Sequence, residues 1–308
     1  MSGFLNPAAP VCPPALIEEA RKAGPARVAI ARAGAKLPMA AAHAATEAGV
    51  MEPIFVGEAD AIRTEAEALG WDIGAFRLVD AAGEAEAGDK AARLTGAGEA
   101  DALMKGHLHT DVFMKAALNR EAGLRTGRRL VHVFHISPPD GGRSVMVSDA
   151  ALNVAPDMET RQASLRAVAA LGAALGLDRP KIAVLSATET PIPSMPSSEE
   201  ARALADWALA ERVAADVSGP LALDLAISPE ATAVKGLEDD PVAGRADAIL
   251  VPDIVSGNAL FKALVYLGGG CAGGVVMGAS APILLTSRAD PPAARLASAA
   301  LATLARGC

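Results

Sequence analysis

The sequence predicts an α/β protein built on parallel β-strands, and three features of its 308 residues lead to this fold class. Short apolar runs alternate with amphipathic segments of helical period as far as residue 105. Apolar residues make up 51% of the chain and aromatic residues only 3%, so we expect a core of alanine, valine, leucine and isoleucine. The length is sufficient for two domains.

The first part of the chain alternates strictly between strand and helix, which predicts a doubly wound parallel sheet. A proline suits the first turn of a helix, and a glycine suits the residue just after its end. Strands are predicted at 27–33, 52–57, 76–80 and 102–104. Four helices are also predicted: one begins near Pro38, the next ends at Leu69, the third spans residues 84–94, and the fourth begins at Thr110.

The pattern changes after residue 130, where two strands flank the turn sequence Ser-Pro-Pro-Asp-Gly-Gly. Such a turn predicts a β-hairpin, and a hairpin in a parallel sheet indicates a second domain. We therefore predict one domain from residues 1–135 plus 280–308 and another from residues 136–279. The further predicted elements are strands at 130–136, 144–147 and 181–186, and a strand or partly extended segment at 221–227. Helices are predicted at 156–175, at 198–211 with Ser198 as N-cap, and at 297–306.

Residues 246–288 carry the densest set of polar groups at predicted strand ends. A strand at 249–251 leads to the turn Ser256-Gly257-Asn258 and to a helix opening at Asn258, which has Leu260, Phe261, Leu264 and Val265 on one face. Strands at 275–277 and 283–286 follow, and the second delivers Ser287 and Arg288. A helix N-terminus and an arginine suit an anion, which predicts a phosphate or acyl-phosphate site. Alternatively, Asn258 is only an N-cap and Arg288 only a surface charge.

Two other segments place polar groups after strands. Lys105-Gly106 and the helix from Thr110 that carries Lys115 can hold a phosphate, although the Walker spacing is absent. Asp149 and Asn153 follow the strand 144–147, and the structural alternative is that they cap the next helix.

The histidines and cysteines do not have metal-site spacing. His107, His109, His132 and His135 lack an HExxH pattern or a cysteine partner, so we expect hydrogen-bonded core or pocket histidines and no metal. Cys271 is predicted to be a small core residue rather than a nucleophile. The three cysteines are widely separated, which fits a reducing compartment.

Charge and hydropathy exclude two classes of partner. The net charge is −8, which disfavours a general nucleic-acid surface but leaves room for a local basic pocket. The N-terminus lacks the features of a signal peptide, and no apolar run reaches the roughly 20 residues of a membrane helix. We expect a soluble, cytoplasmic protein.

Six motifs, in order, resemble the phosphate acetyltransferase/phosphate butyryltransferase family, also described as phosphotransacetylase-like. They cover most of the chain after residue 100. The motifs are LMKGHLHT with KAALNREAGLR (103–125), SDAALNVAPD (148–157), VLSATE with PSMPSSEEA (184–201), SGPLALDLAISPEA (218–231), VAGRADAILVPDIVSGNALFKAL (242–264) and APILLTSRAD (281–290).

The resemblance implies two α/β domains with an interdomain cleft, in the manner of isocitrate and isopropylmalate dehydrogenases, and a homodimer. It implies reversible transfer of an acetyl or butyryl group between coenzyme A and inorganic phosphate. Acyl-coenzyme A, coenzyme A, phosphate and acyl phosphate are then the partners, with coenzyme A a substrate and no other cofactor.

The resemblance also implies roles for individual residues. Ser287 and Arg288 match the family's serine–arginine pair, which stabilises the oxyanion and binds the phosphate. Lys115 matches a phosphate-binding position of the family. Gly257-Asn258 matches the family's Gly-Asn turn. Lys105, Thr110, Asp149 and Asn153 complete the predicted substrate-binding set.

One departure from the family pattern keeps alternatives open. Ala294 stands where the acetyl branch has an aspartate proposed as the base for the thiol. A non-catalytic regulator that binds coenzyme A or phosphate is therefore an alternative, as is another acyl-phosphate enzyme on the same fold.

Overall fold

The structure is a computed structural model that describes residues 4–6, 8–285 and 289–308. Within these residues the chain is a mixed α/β protein with a large β-sheet, as the sequence predicts. No described helix is long and apolar enough to cross a membrane. The strands are β1 (Ala26–Ala31), β2 (Met51–Gly57), β3 (Leu78–Asp80), β4 (Ala102–Lys105), β5 (Val131–Ser137), β6 (Val145–Ser148), β7 (Lys181–Leu185), β8 (Asp216–Leu221), β9 (Ala248–Leu250), β10 (Cys271–Met277) and β11 (Ile283–Leu284).

Helices alternate with many of these strands along the chain, as the sequence pattern predicts. A short 3₁₀ turn at Arg120–Ala122 and a π-helical segment at Ala263–Leu267 accompany them. The α-helices are α1 (Pro14–Ala23), α2 (Lys36–Glu47), α3 (Ala59–Ala68), α4 (Gly83–Gly96), α5 (Thr110–Ala117), α6 (Met158–Ala174), α7 (Pro196–Ala210), α8 (Leu223–Ile227), α9 (Pro229–Lys235), α10 (Ile254–Lys262) and α11 (Pro292–Ala305).

Residues 10–128 and 273–307 form one compact unit, which we call the split unit. Its strands β3, β2, β1, β4 and β11 are parallel and hydrogen-bonded in that order, and β10 is antiparallel to β11. The last helix, α11, belongs to this unit and packs against α1 and α2. The hydroxyl of Thr303 in α11 donates to the carbonyl of Val50 at 2.7 Å. Two segments that are far apart in sequence therefore contribute to the core of this unit.

Residues 129–272, with 1–9 and 308, form the other compact unit, the central unit. Its strand order is β5, β6, β9, β7 and β8. The predicted hairpin is confirmed, because β5 and β6 are antiparallel with Phe134 opposite Val147, while the remaining neighbours are parallel. The predicted apolar face at Leu260, Phe261, Leu264 and Val265 packs against buried residues of this unit.

The structure corrects the predicted strand at Leu221–Ile227. β8 ends at Leu221, and α8 follows directly, with the N–H of Ala226 bonded to the carbonyl of Ala222 at 3.0 Å. The sequence Leu-Ala-Leu-Asp-Leu-Ala-Ile alternates like a strand. Leu225 and Ala226 are both buried within this helix, so the alternation is not a reliable sign of a strand here.

Ser198 was predicted as the N-cap of its helix, and this assignment is wrong. α7 begins at Pro196, which places Ser198 inside the first turn. The Ser198 hydroxyl donates to the carbonyl of Met195 at 2.7 Å and accepts the N–H of Ile192 at 2.9 Å. The side chain therefore closes the loop before the helix. Helices α1 and α9 are additional elements that the sequence patterns did not predict.

Candidate functional site

A cavity of about 210 Å³ lies in the split unit, beside the end of β4 and the start of α2. Ligands of parallel sheets usually bind at such carboxyl ends of strands. Three groups of residues form the wall, and all of them belong to the split unit. They come from the start of α2, from the end of β4 and from the first turn of α11, and include Lys36, Pro38, Lys105, His107 and Arg295.

The wall of this cavity includes three cationic side chains. Lys105 is the last residue of β4 and is 9% exposed, and Arg295 in α11 is 8% exposed. Lys36 is the first residue of α2 and is exposed to solvent. Within the described residues no carboxylate lines the cavity.

The backbone at Gly106 explains why the chain can turn at this point. The N–H of Gly106 donates to the carbonyl of Ala31, and the N–H of His107 donates to the carbonyl of Arg32, both at 2.9 Å. A Cβ atom on Gly106 would lie 2.3 Å from the oxygen of Ala31. Only glycine allows this close approach, which carries the chain from Lys105 to His107 along the cavity.

Thr110 and Lys115 lie on α5, where the sequence predicts them, and both are exposed. Neither residue is part of the cavity wall. His109 is the N-cap residue of α5, and Glu84 accepts its backbone N–H at 3.0 Å and its ring Nδ1 at 2.8 Å. The backbone hydrogen bond from His109, followed by that from its ring, lowers the pKa of the Glu84 carboxyl. Glu84 thus fixes the start of the helix that carries Lys115.

Asp149 and Asn153 come together in the central unit. The carboxylate of Asp149 accepts the N–H groups of Ala151 at 2.9 Å and Leu152 at 2.8 Å. It also accepts the N–H of His132 at 2.9 Å and the Asn153 amide at 2.7 Å. These bonds give the buried Asp149 a structural role in fixing the loop after β6. The alternative that either residue caps the next helix is wrong, because Asp157 caps α6.

The prediction that a helix opens at Asn258 is wrong. α10 begins at Ile254, and Asp253 is its N-cap. One carboxylate oxygen of Asp253 accepts the N–H groups of Val255 and Ser256, both at 2.9 Å. The N–H of Ile254 donates to the carbonyl of Val154, and that of Gly257 to the carbonyl of Asp253, both at 3.1 Å. The first turn therefore has no N–H group left for a phosphate.

Gly257 and Asn258 contact the loop after β6 from within α10. A Cβ atom on Gly257 would lie 2.8 Å from the carbonyl oxygen of Asp149, so only glycine fits against this backbone. The Asn258 amide donates to the carbonyl of Ala150 at 3.3 Å. The structure thus brings the four predicted central-unit residues together around one loop. Asp149 and Asn153 belong to this loop, and Gly257 and Asn258 contact it.

The predicted catalytic pair, Ser287 and Arg288, lies outside the described residues. Ala294 is described, and it is buried in the first turn of α11. Its side chain is a methyl group, so a base for a thiol is not provided at this position. The sequence patterns did not single out Lys36 and Arg295. Each of these two residues lies in the first turn of a helix, and neither turn contains an acidic residue. First turns favour negative charge, so a cation at this position is an unusual feature that could have identified both residues.

The histidines correct one expectation. The Nδ1 atoms of His132 and His135 are buried and have no hydrogen-bond partner among the described residues, whereas hydrogen-bonded rings were expected. Burial lowers the pKa of each histidine to about 4. Burial likewise raises the pKa of the Cys271 thiol to about 11, which disfavours a nucleophilic thiolate. The described residues contain no group of three side chains placed to hold a metal ion.

The described fold defines a mixed α/β protein with a large β-sheet. The chain belongs to the phosphate acetyl/butaryl transferase family, whose sequence profile matches residues 86–303. The resemblance inferred from the six motifs is thereby confirmed.

Relatives of both activities are similar to this chain. It is 40% identical over 290 residues to a phosphate acetyltransferase from Rhizobium meliloti, covering 94% of this chain and 92% of that protein. It is 36% identical over 282 residues to a phosphate butyryltransferase from Clostridium acetobutylicum, covering 91% and 93%. The crystal structure of a branched-chain phosphotransacylase from Enterococcus faecalis V583 superposes with a TM-score of 0.80 at 30% identity, covering 92% of this chain and 99% of that one.

Proposed function

We propose that this protein catalyses the reversible transfer of an acetyl or butyryl group between coenzyme A and inorganic phosphate. The observation that carries this proposal is the family match over residues 86–303, supported by relatives that align over nearly their whole length. The basic cavity at the end of β4 agrees with phosphate as one of the substrates.

The chemistry needs positioned charge rather than a covalent intermediate. In one direction the thiolate of coenzyme A attacks the carbonyl carbon of the acyl phosphate and forms a tetrahedral oxyanion. The attack forms a new carbon–sulfur bond. The carbon–oxygen bond to phosphate then breaks, and phosphate leaves with that electron pair. The reverse reaction uses a phosphate oxygen to attack the thioester. In both directions, donors aimed at the oxyanion lower the barrier.

Individual residues receive roles within this proposal. Ser287 donates to the carbonyl oxygen, and Arg288 holds the phosphoryl oxygens as charge develops on the leaving group. Lys105, Thr110 and Lys115 bind substrate in the split unit. In the central unit, Asp149 and Asn153 fix the loop that Gly257 and Asn258 contact, and this loop contributes to substrate binding.

The remaining parts of the proposal concern the whole protein. The split and central units correspond to two α/β domains of the isocitrate dehydrogenase type, with boundaries near those predicted from the sequence. The protein is a cytoplasmic homodimer that acts on coenzyme A, phosphate and their acyl derivatives. It requires neither a metal ion nor a nicotinamide or other cofactor.

Release of free thiol tests the activity. The protein is incubated with phosphate and with acetyl-, propionyl- or butyryl-coenzyme A, without metal or nicotinamide, and the thiol is measured over time. We expect turnover with at least one donor, and the ratio of kcat/KM values then gives the acyl preference. Binding of coenzyme A without turnover of any donor would favour the alternative that the protein is a non-catalytic regulator that binds coenzyme A or phosphate.

Arg288→Gln tests the assignment of the catalytic pair. Because Arg288 acts on developing charge, we expect turnover to fall about a hundredfold or more, equivalent to roughly 3 kcal/mol, while acyl-coenzyme A still binds. Arg63→Gln is the matched control, since Arg63 is an exposed arginine of the split unit that pairs only with Asp60 in the described residues. Loss of coenzyme A binding at unchanged turnover would contradict the proposed role.

A further inference from the structure

We propose that His109, oriented by Glu84, is the general base that accepts the proton of the coenzyme A thiol. The inference rests on the proposed function, in which this thiol is the nucleophile. A free thiol has a pKa of about 8.5, so little of it is thiolate at neutral pH. Ala294 does not provide a base. A histidine that takes the proton would therefore raise the rate.

A carboxylate–histidine pair joins two helices of the split unit. Glu84 lies in the first turn of α4, and His109 is the N-cap residue of α5. The ring Nδ1 of His109 lies 2.8 Å from one carboxylate oxygen of Glu84 and 3.0 Å from the other. An ionised carboxylate only accepts hydrogen bonds, so Nδ1 carries the hydrogen. In the neutral ring the free lone pair is then on Nε2, which is the atom that can accept a proton.

The Nε2 atom of His109 is accessible to a substrate. The His109 side chain is 71% exposed, whereas that of Glu84 is 24% exposed. In the part of the chain that the structure describes, Nδ1 is the one ring atom with a hydrogen-bond partner. The ring does not cap α5 either. One nitrogen is thus fixed by a carboxylate and the other is open, which is how a carboxylate orients a catalytic histidine.

Arg32 keeps the Glu84 carboxylate in place. Its Nη1 lies 3.1 Å from Glu84, and its Nε lies 3.3 Å from Glu58. Hydrogen bonds from the backbone and ring of His109 lower the pKa of the Glu84 carboxyl, and the charge of Arg32 adds to this effect. Glu84 therefore remains ionised at neutral pH. It can then stabilise the imidazolium that forms when the ring takes a proton.

The pair lies where a parallel sheet presents its ligands. β3, β2, β1 and β4 are parallel neighbours in that order, so the chain leaves β1 toward β2 on one side while β4 lies on the other. Arg32 directly follows β1, and His109 lies in the loop after β4. Ligands bind in the crevice at such a reversal of strand order. Arg32 also has a φ of 54°, and residues in this left-handed region cluster at functional sites.

The proposed step moves one proton to the enzyme and no other group. The thiol proton passes to Nε2 of His109, and the electron pair of the sulfur forms the carbon–sulfur bond with the acyl carbon. The carbon–oxygen bond to phosphate breaks, and phosphate leaves with that electron pair. The imidazolium then returns its proton to water. In the reverse reaction the imidazolium protonates the departing thiolate.

His109→Asn is the main test. The asparagine amide can still donate to Glu84, but it has no second nitrogen that accepts a proton. His43→Asn is the matched control, because His43 belongs to the same unit and contacts Trp71, with no carboxylate partner in the described chain. Circular dichroism checks the folding of both variants. The kcat/KM for coenzyme A is measured with acetyl phosphate and with butyryl phosphate at pH 7 and pH 9.

Other charged groups are near the pair, and the comparison of variants separates His109 from them. Within the described residues, Glu84 is the one group that bonds to its ring. The others lie on neighbouring loops or on α5 itself: Arg32, Glu58, His107, Asp111 and Lys115. They are the same in the wild type and in His109→Asn, so a changed pH profile reports the loss of the imidazole.

At pH 7 we expect His109→Asn to lower kcat/KM about a hundredfold, which is a usual contribution of a general base. At pH 9 the deficit should be only a few-fold, because the thiol then ionises without help. A merely structural role would lower kcat/KM equally at both pH values. His43→Asn should behave as the wild type does.

Glu84→Gln tests the positioning residue. Glutamine retains an acceptor oxygen but not the charge that favours the imidazolium, so kcat/KM at pH 7 should fall about tenfold. Combined with His109→Asn it should cause no further loss, because the base that it orients is absent. Glu86→Gln is the control, since Glu86 lies on the same helix and pairs with Lys90 at 2.6 Å.

An unchanged kcat/KM in folded His109→Asn, or an equal deficit at pH 7 and pH 9, would overturn the base role and leave the proposed function in place. Additive losses in the double variant would do the same. A wild-type protein that turns over neither acyl phosphate would instead remove the proposed function, and the base role with it.

Discussion

Two histidines of β5, His132 and His135, should make the folded protein sensitive to acid. His132 and His135 keep their Nδ1 atoms buried, and burial lowers the pKa of each from 6.5 to about 4. For His132, the nearby Asp149 carboxylate opposes this effect in part. Below pH 6.5 the unfolded chain takes up protons that the folded protein does not accept. The stability associated with the neutral rings is therefore present above pH 6.5 and is lost as the pH falls toward 4.

His135→Leu tests this dependence, because leucine fills space on the strand without titrating. Between pH 7 and pH 5 the wild-type free energy of unfolding should fall by about 2 kcal/mol for each buried histidine. The fall should be smaller by about that amount in His135→Leu. Urea unfolding at the two pH values measures it. An equal fall in both proteins would show that His135 does not cause the acid sensitivity.

Among the elements, α10 shows where local sequence patterns mislead. Ser256-Gly257-Asn258 is typical of a turn, so the helix was predicted to begin there. The actual start is set by Asp253, whose carboxylate caps the first turn, and the helix continues through Gly257. Glycine is needed at this position of the helix because the backbone at Asp149 approaches too closely for any side chain. That contact joins residues far apart in sequence, which a local pattern does not reveal.

Replacement of the cap tests the start of α10. Asp253→Ala removes the acceptor of two backbone N–H groups and should lower the free energy of unfolding by about 1 kcal/mol. Asp253→Asn retains an acceptor oxygen and should lose only a few tenths of a kcal/mol. Chemical denaturation measures both variants. An equal loss in the two would indicate that the charge of Asp253, rather than its cap, matters.

For the molecule as a whole, local sequence patterns predict the α/β class but not the cavity beside β4. The alternation of strands and helices is local, and it led to the correct α/β class and to the hairpin of β5 and β6. The cavity depends on Lys36, Lys105 and Arg295, which lie in three distant segments of the chain. Only Lys105 follows a recognisable strand ending, so it alone of the three was predicted.

The segments of the chain that form each unit predict how fragments of the protein fold. The central unit is nearly continuous, from residue 129 to residue 272, whereas the split unit needs residues 10–128 and 273–307. Without the second segment, β4 loses its parallel neighbour β11. The core also loses α11, in which ten of fourteen residues are buried. Residues 10–128 should therefore not form a cooperative fold by themselves.

Three fragments test this prediction by thermal melting followed with circular dichroism. Residues 129–272 should melt cooperatively, because every strand pair from β5 to β9 lies within them. Residues 10–128 should not, and fusion to 273–307 through a flexible glycine–serine linker should restore a cooperative transition. The linker is feasible because the Thr126 hydroxyl donates to the carbonyl of Gly278 at 2.6 Å, which brings the two segments together. Cooperative melting of 10–128 at the same temperature as the fusion would show that the last helix is not needed for the unit to fold.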